Sequence, residues 1–415
     1  MERLGVGIVG AGFVVTNFHI PSFQWVRDVD IVAICARHKE SAEKAAQLAR
    51  ELRVGNPRIY TDVKHMVRDP NVHAVWIAVP NFARLDVVQA IVEAYKQGAA
   101  KHLVGVACEK PLARNVKEAQ QMLELIEETK LLHGYLENQV FAPAVVKGKE
   151  IMWKRGAEKT GHPYLARCAE EHAGPHAFWF WSGSMQGGGV LNDMGCHSIE
   201  AARFLLTPPS EPKTFLVPKT VTAEIALLKW LRAGYVEQPH LVKAGFKESP
   251  VEDYAHAVVT FENPLGEECM AEITVSWSYV GPGLRLKFEV LGPEYSMEVN
   301  TLHSELRLFF SRRVKAEVGE DLIEKQEAEQ GLMPAIANEC FTYGYVDENR
   351  EMVQCFLDKK MPRETWYDGL MVTKLIMSMY MASEKGEKIY FPPEGLDEYI
   401  PSVAKGVWRA KKEER

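Results

Sequence analysis

The sequence predicts an α/β protein: an N-terminal doubly wound parallel sheet, then a C-terminal α/β domain with a large, mainly antiparallel open sheet. Three observations carry this. Short apolar runs alternate with helix-like stretches through about the first 140 residues, a glycine turn closes the first of those runs, and period-2 alternation takes over afterwards. Short buried strands separated by helices imply parallel pairing, whereas alternation at short spacing implies an antiparallel sheet with one covered face.

In the first part, Val6–Val9, Ile31–Cys35, Ala74–Val79 and Leu103–Ala107 read as strands, with helices over Lys39–Glu51 and Asp86–Gln97. The pattern changes around Phe141–Pro143, so we divide the chain into an N-terminal domain over 1–140 and a C-terminal domain over 141–415. A helix over Val145–Ala157 leads out. Strands follow at Val221–Ile225, Tyr254–Phe261, Ala271–Tyr279, Leu284–Leu291, Tyr295–Val299 and Glu305–Phe309, and the Pro-rich stretch Thr207–Lys219 reads as a loop. A long helix is expected at Trp366–Ser383, with Thr365 as N-cap and Asp368 in its first turn. Its methionines, Met371, Met377, Met379 and Met381, read as core.

The chain has 415 residues and a net charge of −7, which accommodates two domains and argues against nucleic acid as the partner. The basic tail Arg409–Arg415 reads as a solvated terminus. Seven scattered cysteines without a CxxC pair suggest neither a metal site nor a disulfide framework, and fit reduced thiols in the cytoplasm. The start MERLGVGIVG resembles no signal peptide, and no apolar run is long enough for a membrane span.

Gly10-Ala11-Gly12-Phe13-Val14-Val15 follows the first strand. It carries the first two glycines of the dinucleotide (Rossmann) fingerprint, with Val15 in place of the third. Gly10 permits the tight turn and Gly12 lets backbone approach a pyrophosphate at a helix N-terminus. An NAD site usually carries an acid after the second strand to bond the ribose 2′-hydroxyl. Here Cys35-Ala36-Arg37-His38-Lys39 offers cations instead. Arg37 and Lys39 suit a 2′-phosphate, which favours NADP(H); the alternative is that Arg37 stacks on adenine while NAD binds.

Two segments carry candidate chemistry. Glu109-Lys110-Pro111 follows the strand over Leu103–Ala107, at a ligand-lining position, where a lysine can stabilise developing alkoxide charge; alone it reads better as a lysine in a surface ion pair. Gly187-Gly188-Gly189-Val190-Leu191-Asn192-Asp193-Met194-Gly195-Cys196-His197 places Asp193 and His197 four apart on one helical face. That pair suits general acid–base work, although an isolated pair of this kind also occurs as a surface ion pair or half of a metal site.

Taken together, the glycine turn, Phe18-His19-Ile20-Pro21, Val79-Pro80-Asn81, Glu109-Lys110-Pro111, Gly187 through His197, Ser276-Trp277 and Tyr367-Asp368-Gly369-Leu370 resemble the glucose–fructose oxidoreductase, inositol dehydrogenase and rhizopine-catabolism (Gfo/Idh/MocA) oxidoreductases, from about Gly5 to Pro393. The resemblance implies hydride transfer between NAD(P) and a secondary hydroxyl or ketone of a sugar, cyclitol or sugar acid. It implies that Lys110 bonds the reacting hydroxyl, Asp193 orients the sugar and His197 takes the proton. Phe13, Val14, His38, Pro80, Asn81, Glu109 and Lys110 join Gly10, Gly12 and Arg37 at the cofactor. A homo-oligomer through the C-terminal sheet is implied as well. The chain departs from the pattern at Arg84, where the family often has histidine.

For the substrate, His172, Trp179 and Trp181 lie in the aromatic segment before the glycines, and Asn138 follows a strand. Aromatic faces suit sugar rings, while core packing is an equal reading for both tryptophans. A redox-neutral enzyme that retains its dinucleotide, and a non-catalytic dinucleotide-dependent regulator, are the alternatives to a dehydrogenase.

Overall fold

The structure is a computed structural model that describes residues 2–303, 306–310 and 331–409. Its chain forms two compact units, one made of residues 1–143 with 340–371 and the other of 144–339 with 372–415. The first crossing lies within three residues of the expected break at 140. The stretch after it is not one unit, because 340–371 returns to the first.

The first unit is built on six parallel strands: β1 (Leu4–Val9), β2 (Val29–Cys35), β3 (Arg58–Tyr60), β4 (Ala74–Ile77), β5 (Gly105–Glu109) and β6 (Leu132–Leu136), in the order β3-β2-β1-β4-β5-β6. Helices Lys39–Glu51, Arg84–Lys96 and Val116–Glu127 supply crossovers. Every residue of β1 and β4 is buried, as expected for strands covered on both faces. The strand order reverses between β1 and β4, and ligands of such sheets bind at the carboxyl ends there. β5 runs two residues later than the apolar pattern indicated and so includes Glu109, a buried charge that the pattern could not mark as strand.

The returning segment explains two glycines. Helix Tyr345–Leu357 lays Phe356 where a Cβ on Gly105 would sit, 2.8 Å from the ring, and Met352 where one on Gly134 would sit. Trp76 Nε1 donates to Asn349 Oδ1 (2.8 Å), and Trp366 Nε1 to the Gly134 carbonyl (2.9 Å). Glycine inside a strand commonly marks such a close approach.

The second unit holds a seven-stranded sheet of β7 (Leu165–Glu171), β8 (Val217–Ala226), β9 (Tyr254–Glu262), β10 (Glu268–Ser276), β11 (Arg285–Gly292), β12 (Tyr295–Asn300) and β15 (Ile389–Tyr390), in the order β12-β11-β7-β10-β9-β8-β15. Only β7 and β10 pair in parallel. β13 (Leu306–Phe310) and β14 (Gly331–Ala335) form a separate two-stranded antiparallel sheet; Glu305, the expected start of that strand, and residues 410–415 of the basic tail lie outside the described residues. β9 and β11 alternate buried and half-buried residues. Helix Val190–Leu206, buried along almost its whole length, packs on β7 and β10. On the other face Arg167 of β7 bridges Glu272 of β10 (3.0 Å) and Glu289 of β11 (2.9 Å). The loop expected at 207–219 ends early, because Val217 already starts β8. The last helix runs Trp366–Lys385, and Asp368 accepts from both the amide and the hydroxyl of Thr365, each at 2.8 Å. Met377, Met379 and Met381 are buried. Among the described residues no helix is long and apolar enough to cross a membrane.

Gly105→Ala should destabilise the protein by about 1–3 kcal/mol, since the aromatic ring of Phe356 cannot bend away as a flexible chain would. In a Phe356→Leu background the same change should cost less, a coupling that urea unfolding of the four chains measures.

Candidate active site

In the first unit, strand β1 ends in the glycine turn. Gly10 has φ +121°, and a Cβ there would lie 2.4 Å from the Ala78 carbonyl, so the backbone demands glycine. Gly12 is exposed, and a Cβ on it would meet nothing within 4 Å. Protein packing therefore does not explain Gly12, whereas open space over a backbone turn suits a diphosphate. Where the third fingerprint glycine would stand, the fully buried Val15 opens a turn of wider winding, closed by the Ile20 amide on the Val15 carbonyl. Phe13 is exposed and Val14 half-buried. Arg37, His38 and Lys39 are exposed after β2, and Lys39 pairs with Glu43 at 3.4 Å. Asn81 is buried after β4, with Pro80 half-buried beside it.

The carboxyl end of β5 is a hub of buried polar groups. Glu109 Oε1 lies 2.7 Å from His19 Nε2, and Oε2 accepts from the Lys110 amide at 3.0 Å. Asn349 spends its oxygen on Trp76 and turns its amide nitrogen toward His19 Nδ1 (3.3 Å), Ser22 Oγ and the Tyr345 carbonyl. Nδ1 of His19 is therefore an acceptor, and Nε2 donates to Glu109. Burial pushes the Glu109 carboxyl up, but the hydrogen bond from His19 and the charges of Lys110 and Arg84 outweigh it and hold Glu109 below the usual carboxylate range. Glu348 goes the other way: burial, reinforced by Glu109, Glu137 and Glu364, raises it well above its ordinary value. The Arg84 guanidinium donates to the carbonyls of Val79, Glu109, Lys110 and Pro111. The Lys110–Pro111 bond is cis, and the Lys110 side chain is half-buried.

In the second unit, the glycine run leads into helix Val190–Leu206. Gly187 has φ +94°; a Cβ on Gly188 would collide with Tyr380 Oη, and one on Gly189 with the Glu252 carbonyl at 2.3 Å. The helix brings no side-chain cap of its own. Glu252 supplies one from the start of β9's approach: its Oε1 accepts from the Gly189 and Leu191 amides, each at 3.0 Å, and from Tyr380 Oη at 2.6 Å. Asn192 donates to the Gln186 carbonyl at 2.7 Å and pins the preceding turn. Asp193 and His197, one turn apart on this clamped helix, are both buried. Next to Glu252, the buried Asp253 accepts from the amides of Leu228, Lys229 and Trp230.

His172 is buried, and its Nδ1 accepts from the Gly174 amide at 2.9 Å. Trp179 is half-buried and stacked on Phe180 with ring centroids 3.8 Å apart. Trp181 resolves to core rather than pocket: it is fully buried among Trp230, Trp277 and Phe246, with Nε1 donating to the Pro175 carbonyl. Asn138 in the first unit is buried too, its amide nitrogen donating to the Tyr343 carbonyl at 2.7 Å, a structural use of a residue expected at the substrate. Sequence reasoning gave no role to His19, Glu252, Asp253 or Tyr380. Only His19 left a signal, inside the quoted Phe18–Pro21 segment; the others act across gaps of tens of residues.

Residues 4–135 match the model of the oxidoreductase family with NAD-binding Rossmann fold, and residues 156–298 match the Gfo/Idh/MocA C-terminal domain. The chain belongs to the Gfo/Idh/MocA oxidoreductases. Among its relatives is a levoglucosan dehydrogenase of Pseudarthrobacter phenanthrenivorans, 26% identical over 326 residues that span 75% of this chain and 77% of that one. Two solved structures share the fold. GenD2 of gentamicin A biosynthesis, in complex with NAD, superposes with a TM-score of 0.74 at 24% identity, over 95% of this chain and 97% of that one. A levoglucosan dehydrogenase in complex with NADH and levoglucosan gives a TM-score of 0.68 at 21% identity, over 94% and 100%.

Burial pushes the Glu252 carboxyl up to about 7, against the pull of its bonds from Tyr380, Leu191 and Gly189. An acid raised in the folded state keeps a proton that the unfolded chain has lost, so its contribution to stability falls as pH rises from the ordinary value of 4.5 to about 7. Relative to Glu252→Gln, the parent should lose at most about 1.4 kcal/mol per pH unit over that window and nothing further above it. Unfolding midpoints of both chains between pH 5 and 8 check this, and a difference that does not change with pH would contradict it.

Proposed function

We propose that this oxidoreductase transfers a hydride between a nicotinamide dinucleotide and a secondary hydroxyl or ketone of a sugar, cyclitol or sugar acid. The observation that carries the reading is the clamped helix of the second unit, which holds Asp193 and His197 on one face immediately after a glycine turn. A helix fixed at its first turn gives an acid–base pair the positional precision that proton transfer needs. The bound dinucleotide supplies the hydride acceptor or donor. Lys110 donates a hydrogen bond to the reacting oxygen, His197 takes its proton at a ring nitrogen, and Asp193 fixes a neighbouring hydroxyl and the imidazole. Trp179 and His172 border the substrate in this reading. The sugar-dehydrogenase relative supports the substrate class.

For the dinucleotide we favour NADP(H). What supports it is Arg37, exposed after β2 where an NAD site would place an acid. Lys39 already pairs with Glu43, so Arg37 carries the preference. All seven cysteines are free, which fits a reducing, cytoplasmic setting. The half-buried outer face of the seven-stranded sheet, with its Arg167 bridges, is the surface we assign to self-association.

Mixed with a panel of sugars, inositols and aldonates, the protein should reduce added dinucleotide. Lys110→Ala and His197→Ala should each lower kcat by about 10²–10⁴-fold while still binding dinucleotide. Parental rates in both variants would end this reading. Arg37→Ala should lower kcat/KM for NADP+ by roughly 10-fold or more and spare NAD+; equal effects on both would return the choice to NAD.

A further inference from the structure

Arg84 is 4% exposed, an expensive place for a guanidinium, which keeps its charge at physiological pH. Its neighbours explain the placement. Nε donates to the Val79 carbonyl at 3.1 Å, Nη1 to the Glu109 carbonyl at 2.7 Å and to the Pro111 carbonyl, and Nη2 to the Lys110 carbonyl at 2.9 Å. One side chain thus collects three consecutive carbonyls of the segment that bears Lys110, together with the last residue before Pro80. No side-chain carboxylate takes these bonds; the nearby ionised Glu109 balances the charge.

That geometry needs arginine. Three consecutive carbonyls leaving a strand point in different directions, and each must find a donor once buried. The guanidinium offers five N–H groups spread over a rigid plane, and four are used here. Histidine offers two at most, and lysine offers three from a single point.

We propose that Arg84 is a positioning residue for catalysis: its fork holds the 109–111 backbone so that the Lys110 ammonium is aimed at the reacting oxygen. The inference rests on the role given to Lys110 above. Residue 84 touches neither substrate nor the reacting atoms in this account; it acts through the backbone. A misplacement of about 1 Å at a catalytic group costs on the order of 10²-fold in rate, and that is the effect expected of losing the fork.

The test uses the full chain. Arg84→Lys keeps a charge without the fork, and Arg84→Ala removes both, leaving room for free guanidinium at a sub-denaturing concentration. Three quantities are read: kcat on the panel carbohydrate that the parent turns over, the dinucleotide Kd, and the rate at which acetic anhydride acetylates Lys110 relative to Lys64. Both variants should lose about 10²-fold in kcat with the dinucleotide Kd little changed. The relative acetylation rate of Lys110 should shift. Guanidinium should restore turnover in part to Arg84→Ala and not at all to Lys110→Ala. Folded variants with the parent's kcat overturn the inference. Loss of folding in both variants also overturns it, since Arg84 would then serve stability alone. If Lys110→Ala itself runs at the parental rate, the reading of Lys110 fails instead, and the acetylation rate still decides whether Arg84 holds the segment.

Discussion

Buried charge at the carboxyl end of β5 is the constraint around which the first unit is arranged. Glu109 is ionised and almost fully enclosed, a state that costs several kcal/mol unless donors and countercharge surround it. His19 supplies the donor, Asn349 fixes the tautomer of His19, and Trp76 fixes Asn349. Arg84 supplies the countercharge and spends its own donors on the next carbonyls. Each member is satisfied by another, which is the condition under which a buried polar network stiffens its surroundings instead of weakening them. The lysine that begins where this network ends inherits its rigidity.

The second unit solves the same positioning problem by another route. Its key helix follows three glycines: Gly187 has φ +94°, and Tyr380 and Glu252 fill the space where side chains at 188 and 189 would sit. Those two residues then cap the helix in place of a local serine or aspartate. Both units thus use residues distant in sequence to hold backbone next to the candidate chemistry.

That pattern explains what was legible in the sequence. Strands and glycine turns are local, so β1, β2, the Gly10–Gly12 turn and the helix after Gly189 could be read directly. Asp193 and His197 were legible because a spacing of four has a meaning on a helix. The return of 340–371 to the first unit was not, since Phe356 and Met352 look like any helix face until the strand glycines opposite them are known. Strand β7 was missed because its buried face is Ala166, Cys168 and Glu170, too small and polar to register as an apolar alternation, and its parallel partner, β10, lies a hundred residues on. Trp181 and Asn138 were read toward the substrate from residue type alone, and type cannot tell a sugar-facing indole from one packed among other tryptophans. Arg84 stood out as a departure from the resemblance, and its role became visible only with the carbonyls around it.

The central claim is that the groups at 110, 193 and 197 serve a hydride transfer from a carbinol carbon. The most direct measurement follows the hydrogen itself: a carbohydrate of the panel, deuterated at its carbinol carbons, is oxidised by the protein and the reduced dinucleotide is weighed by mass spectrometry. The account predicts one deuterium per reduced dinucleotide, formed about 10²–10⁴-fold more slowly by His197→Ala. Turnover of the labelled carbohydrate with no deuterium retained in the dinucleotide, or with the label lost to water, would contradict it.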